Sequence, residues 1–322
     1  MSLLSPELSP LLRFLPVEHV GTTERIEPIR AGLSGAGVYA VTTSQGSFVL
    51  RVQDRNLDEN YFAQQLRVLR RAEQAGVAPR IAHVDEAARA IVSARISGKP
   101  LGAALADPAQ RNSVLASAVE HLRALHSLDS SGVADRDPMR YADETYRAVR
   151  ERSGFPVWAS DLETEFGHIR RLLARDPRKV VNHNDVNPGN LLWDGERVWL
   201  VDWEVTGLDH PHYDLATLAL FLRLDDDAAL GLAAMHDGAP LSPDARVNFR
   251  ALRKLSGLLC GLTFLSLVQD LSIRPAPGIE HAPTLSEVYQ GMQRGEHSLQ
   301  SPLGQTMMGL ALLAMSINLK LE

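Results

Sequence analysis

The ten residues Leu191-Leu192-Trp193-Asp194-Gly195-Glu196-Arg197-Val198-Trp199-Leu200 constrain the fold more than any other segment. Two short apolar runs flank an Asp-Gly pair, a strong local signal for a two-residue β-hairpin turn. This hairpin lies inside a stretch that otherwise has helical periodicity. Between about residues 110 and 128, Val114, Leu115, Ala118, Leu122 and Leu125 recur along one face, and everything after Tyr213 reads as helices and connections. Other strand signals concentrate near the start. VYAVTT, a turn at Ser44-Gln45-Gly46 and SFVLRV make a hairpin between residues 27 and 52. A helix is expected over residues 58–75, with Phe62, Leu66 and Leu69 on one side and Gly76 stopping it; short strands are expected near 80–84 and 90–95. Strands first and helices later predict an α+β fold of two lobes. Gly98 and Pro100 set the boundary, giving a small β-rich N-terminal lobe over 1–96 and a larger, mainly helical lobe over 97–322.

Composition narrows the function classes. The chain has 322 residues, 45% hydrophobic and 22% charged, which is globular rather than disordered or collagen-like. Its formal charge of −6 and the lack of a dense Lys/Arg tract argue against nucleic acid as a partner and suit a cationic small molecule. One cysteine, Cys260, permits neither a disulfide framework nor a zinc ribbon, so a cytoplasmic location is expected. The N-terminus is broken by Pro6 and Pro10 and carries Glu7, unlike a secretion signal. Apolar stretches at 255–268 and 307–317 fall short of the roughly 20 residues that span a bilayer, so no membrane partner is expected. Oligomeric state is not legible.

The chemistry concentrates around the hairpin. Asn190 precedes its first strand and Asp202 follows its second, so both reach the open end; strands ~4.8 Å apart, advancing ~3.3 Å per residue, tolerate the three-residue offset from ideal register. Asp185 stands five residues before Asn190, across the turn-forming Asn187-Pro188-Gly189. Two carboxylates and an amide oxygen make a hard donor set suited to magnesium carrying phosphates, although Asp-Asn-Pro-Gly clusters are also ordinary turn formers.

His183, Asp185, Asn190 and Asp202 together resemble the HxDxxxxN core and Asp-led triplet of protein-kinase-like phosphotransferases, here Asp202-Trp203-Glu204. HNDVNPGNLLW followed by LVDWEVTGLDHPHYDLA is more specifically similar to the choline/ethanolamine kinase and aminoglycoside phosphotransferase family, over about residues 32–220. The resemblance implies a protein-kinase-like fold with ATP and Mg2+ as cofactors. It makes Asp185 the catalytic base or orienting group, and Asn190 and Asp202 the metal ligands. His183 and Asp214 would support the catalytic loop.

GLSGAG at residues 32–37 precedes a strand rather than a helix, so the loose GxGxxA match there does not make a dinucleotide fold; no GxxxxGK[ST] string occurs either. The resemblance implies a loop covering the nucleotide phosphates, with Gly32, Ser34, Gly35 and Gly37 in it. It extends the nucleotide-binding set to Ser93, Ala94, Ile96 and Arg51, where protein kinases carry lysine; Arg51 keeps a permanent cation with a phosphate-shaped fork. Its helix partner is Gln65 by position or Glu59 by charge.

Only 12 positions separate Asp202 from Asp214, too few for a peptide-docking activation segment, so the acceptor is a small molecule bearing a hydroxyl. Trp203, Glu204 and Tyr213 are candidate acceptor contacts, and Asp225-Asp226-Asp227 offers either cation-selecting charge or a solvated helix cap. The reading is an ATP-dependent kinase acting on an amino-alcohol or aminosugar, with choline or ethanolamine favoured over an aminoglycoside or other small molecule. A nucleotide-binding pseudokinase is the alternative, suggested by Arg51 and Gln65. A metalloprotein built on His183, His210 and His212 is a third class.

Overall fold

In the computed structural model, residues 7–29, 37–53 and 59–321 are described. They form an α+β structure of two compact units, Met1–Ala134 with Pro188–Gly207, and Asp135–Asn187 with Leu208–Glu322. The first unit runs past Pro100 to Ala134 and takes in the hairpin segment as well.

The first unit opens with a 3-10 turn (Ser9–Phe14), then α1 (Val17–Val20) and β1 (Thr23–Pro28), followed by β2 (Gly37–Thr43), β3 (Gly46–Val52), α2 (Glu59–Gln74), β4 (Ile81–Asp85) and β5 (Ala90–Ala94). The strands make one antiparallel sheet in the order β1-β2-β3-β5-β4. Phe48 and Leu50 of β3 and Val92 of β5 supply its core, covered by Phe14, Leu15 and Val20. Phe62, Leu66 and Leu69 of α2 are buried, which agrees with the helical spacing.

β6 (Lys99–Pro100), α3 (Leu101–Ala104) and α4 (Arg111–His126) follow. The two-residue β6 pairs with the first strand of the hairpin, Lys99 opposite Trp193. Gly98 is required there, since an added Cβ would lie 2.8 Å from the Trp193 carbonyl oxygen.

The second unit is mainly helical: α5 (Pro138–Val149), α6 (Leu162–Leu173), β7 (Val180–Asn182), then, after the hairpin strands β8 (Leu191–Trp193) and β9 (Val198–Leu200) of the first unit, β10 (Gly207–Asp209), α7 (Tyr213–Phe221), α8 (Asp226–Asp237), α9 (Pro243–Ser266), α10 (Leu285–Gln293) and α11 (Pro302–Asn318). Ser242 and Ser301 cap α9 and α11, accepting the backbone N–H of Ala245 and of Gly304, each two residues beyond a first-turn proline. α9 is the central helix and packs against α5, α6, α7 and α11. Leu252, Leu255, Leu258, Leu262 and Leu265 along it are buried. Gly261 of α9 and Gly309 of α11 let the two backbones touch: a Cβ on either would lie 3.0 or 2.9 Å from the other's carbonyl oxygen. Among the described residues, no helix is long and apolar enough to cross a membrane.

Candidate active site

In the first unit, the site is built on β3 and the end of the hairpin. The strands pair as Leu191↔Leu200, Leu192↔Trp199 and Trp193↔Val198, and Val201 N–H donates to the Asn190 carbonyl at 2.9 Å. Asn190 thus lies opposite Val201, and Asp202 is one residue beyond that pair. The expected three-residue offset is corrected because the turn centres on Gly195-Glu196 rather than Asp194-Gly195. Asp194 Oδ1 accepts the N–H groups of Glu196 (2.8 Å) and Arg197 (2.9 Å), and Gly195 takes φ +109°.

Arg51 lies on β3 between Val38 of β2 and Ile91 of β5. Its Nη2 is 3.0 Å from Asp202 Oδ1, and its Nη1 pairs with the Glu204 carboxylate. Side-chain exposure of 16% for Arg51 and 28% for Asp202 means that salt screens this pair less than a surface pair. Asp202 holds φ +69°, a left-handed backbone that costs a non-glycine residue roughly 1–3 kcal/mol, though Asp adopts it more readily than most. The following segment is anchored to α2: the Tyr61 hydroxyl donates to the Glu204 carbonyl, and Gln64 Nε2 donates to the Thr206 carbonyl at 3.1 Å.

Gln65 does not serve Arg51. It is buried and its Oε1 receives the Gln53 side-chain amide, while the side chain of Glu59 lies outside the described residues. Gly32, Ser34 and Gly35 also lie outside them. Gly37 opens β2 opposite Val52, Ser93 and Ala94 end β5, and Ile96 is half-buried just beyond.

In the second unit, β7 leads into the loop carrying Asp185. His183 is buried, and Asn184 takes φ +64°. The fully buried Asp214, in the first turn of α7, accepts the backbone N–H of His183 through Oδ2 and that of Asn184 through Oδ1, both at 2.8 Å. Two charge-assisted bonds thereby fix the backbone immediately before Asp185. Asp185 is half-buried, and its Oδ1 receives the Asn187 side-chain amide at 3.0 Å. The Cys260 thiol of α9 is pushed up to about 12, first by burial and then by the Asp185 charge.

Asp209 ends β10 and is raised to about 7, chiefly by burial, with the Asp214 charge adding to it and the bond from His210 N–H (2.7 Å) opposing it. His210 is lowered to about 4 by burial, although its Nε2 lies 3.2 Å from the Asp176 carboxylate.

Several expected contacts are used otherwise. Trp203 is only 3% exposed and its indole N–H donates to the Leu200 carbonyl at 3.1 Å; Tyr213 is 4% exposed, so neither offers an acceptor a ring face. Glu204 is committed to Arg51. Asp225 caps α8, whereas Asp226 is held by Arg250 (2.7 Å) and Arg253 (2.9 Å), so it is no simple solvated cap. His210 and His212 turn to different carboxylates, Asp176 and Asp237, instead of joining His183 in one triad. Sequence reasoning missed Glu204 as a partner of Arg51; an acidic residue two positions after Asp202 was the available signal.

The model of the phosphotransferase enzyme family matches residues 25–252, more than half of the chain. A stretch of 47 residues is 40% identical to Protein LicA of Haemophilus influenzae. It covers 15% of this chain and 18% of that protein, so the chain matches well under two thirds of that relative's length. The fold is similar to a choline/ethanolamine kinase family protein from Mesorhizobium loti (24% identity, TM-score 0.63, covering 92% of this chain and 94% of that one). It is also similar to the choline kinase LicA from Streptococcus pneumoniae (14%, TM-score 0.67, 96% and 99%). An aminoglycoside-3'-phosphotransferase of type VIII matches at 23% identity and TM-score 0.53, covering 78% of this chain and 100% of that one.

Proposed function

The chain belongs to the phosphotransferase enzyme family, and from that premise we propose that it transfers the γ-phosphoryl group of ATP to the hydroxyl of a small amino-alcohol or aminosugar. The observation that carries the reading is the grip of Asp214 on the His183 and Asn184 N–H groups, which holds the residue before Asp185 in a left-handed turn. An enzyme that moves a phosphoryl group has little covalent work of its own; it supplies position and charge. A rigid loop with a half-buried carboxylate meets that need.

In this reading Asp185 accepts the hydroxyl proton as the acceptor oxygen bonds to the γ-phosphorus, and ADP leaves with the electrons of the broken P–O bond. Arg51, Gly37 and the residues around Ser93 hold the nucleotide, joined by Gly32, Ser34 and Gly35. Asn190 and Asp202 would hold Mg2+, which when bound disperses charge on the phosphates. The fit rests on the donor chemistry: two oxygen donors, with Asp202 Oδ1 already facing a cation in Arg51. A phosphate group that draws Arg51 away leaves that oxygen to a metal.

Choline or ethanolamine is the favoured acceptor, supported by the similarity in fold to the choline kinase LicA from Streptococcus pneumoniae, whose name the locally identical Haemophilus influenzae protein shares, and by the net charge of −6. The protein is expected to work in the cytoplasm. Initial rates with choline, ethanolamine and a panel of aminoglycosides at equal concentration test this. The highest kcat/KM should belong to an amino-alcohol; a preference above tenfold for an aminoglycoside would replace it.

A further inference from the structure

Two histidines and an aspartate of the second unit converge where α8 ends and α7 begins. His212 is the N-cap residue of α7; His236 and Asp237 are the last two residues of α8, which Gly238 terminates with φ +71°. His212 Nε2 lies 2.9 and 3.1 Å from the two oxygens of Asp237, and His236 Nδ1 lies 2.9 Å from Asp237 Oδ1. The three candidate ligand atoms all fall within 4.8 Å of one another. The two rings stand nearly perpendicular at 86°, and the edge of Phe249 closes one side against His212, 5.8 Å between centroids. Both histidines are buried, while the Asp237 side chain is 30% exposed and leaves a path to solvent.

The chemistry of this cluster differs from that of Asn190 and Asp202. Two imidazole nitrogens and one carboxylate oxygen are the donors of zinc-class ions, whereas magnesium prefers oxygen alone. The C-terminal end of a 12-residue helix adds favourable ground for a cation, because its last carbonyls lack partners within the helix and the macrodipole is negative there. The carboxylate also bridges the two histidines, so a small shift of Asp237 lets all three atoms face one centre.

We infer that His212, His236 and Asp237 bind a divalent transition metal of the zinc class, with water completing the coordination. The ion ties the end of α8 to the start of α7, two residues before Asp214. It is a positioning site: it steadies the turn whose aspartate grips the loop carrying Asp185, and it touches no reacting atom. It stands whether or not the phosphotransferase reading does.

The test uses the full chain, stripped with a chelator and titrated with ZnCl2 by calorimetry and with CoCl2 by visible absorption. One equivalent of zinc should bind and raise Tm, excess MgCl2 should not compete, and cobalt should give the strong visible bands of a four- or five-coordinate site. His236→Gln and Asp237→Asn should each weaken zinc binding at least about tenfold while melting like the parent in chelator. If His236→Gln does not fold, Asp237→Asn at the partly exposed position and the cobalt spectrum of the parent decide. Absence of saturable zinc binding, or unchanged affinity in the variants that fold, overturns the inference. Zinc binding lost in the variants, without any phosphoryl transfer by the parent, leaves this site standing and sinks the proposed function instead.

Discussion

Arg51 Nη2 lies 3.0 Å from Asp202 Oδ1, joining the third strand of the N-terminal sheet to the residue that follows the hairpin. Glu204 takes the other end of the same guanidinium. One arginine therefore gathers two carboxylates from a segment more than a hundred residues away, and it does so with Asp202 in a left-handed backbone at φ +69°. A bidentate fork suits this arrangement, and it suits phosphate oxygens equally.

Replacing Arg51 separates these uses. Arg51→Gln leaves two half-buried carboxylates facing each other without a cation, so KM for ATP should rise by about ten- to a hundredfold. Arg51→Lys keeps the charge but loses the fork and should lie between. Steady-state kinetics over an ATP series reads both.

Asp214 should be the most costly position of the loop to change. Asp214→Ala leaves two N–H groups beside a buried site without their acceptors, which should cost about 2–4 kcal/mol in urea unfolding and lower kcat as Asp185 loses its fixed position. Asp214→Asn retains one acceptor oxygen and should cost about half as much.

Asp209 predicts a pH dependence of stability. Its folded value of about 7 exceeds the ordinary 3.8, so between these values the folded chain holds a proton that the unfolded chain releases. This contribution is full below about pH 4 and disappears as pH rises through 7. His210 acts oppositely: lowered to about 4 from 6.5, it costs stability as pH falls through that interval. The two slopes oppose each other between about pH 4 and 6.5. Asp209→Asn should remove the first alone, stabilising the protein at pH 8 by about 1–3 kcal/mol and having little effect near pH 4. Urea unfolding across that range measures it.

Trp203 distinguishes a core residue from an acceptor contact. Trp203→Phe loses the indole bond to the Leu200 carbonyl and some packing, and should cost about 1–2 kcal/mol of stability with acceptor KM changed less than twofold. A tenfold rise in KM at unchanged stability would return Trp203 to the acceptor.

What could be read in advance follows from the range of the forces involved. α2 and α4 show in the sequence because burial marks every third or fourth residue, and both lie within two residues of their expected ends. β1 does not, because Thr-Glu-Arg-Ile-Glu-Pro buries Ile26 alone at the sheet edge. β7 and β10 pair three-residue strands separated by the hairpin, so their partnership leaves no local pattern. The hairpin is legible from its flanking apolar runs, yet Asp194 caps its own turn and shifts the register. The sequence points Arg51 to a partner on the next helix, whereas tertiary folding brings Asp202 and Glu204 to it. His236 and Asp237 carry no motif linking them to His212, and only the packing of α7 against α8 joins them.

The most direct measurement is acceptor-stimulated ADP release from MgATP, run with the parent chain and with Asp185→Asn. Release should rise at least tenfold over background with a small hydroxyl acceptor, and the variant should lose about 10²–10⁴ of it while ATP still raises its Tm. Stimulated release that persists undiminished in Asp185→Asn, or a parent that binds ATP and transfers to no hydroxyl in the panel, would contradict the account.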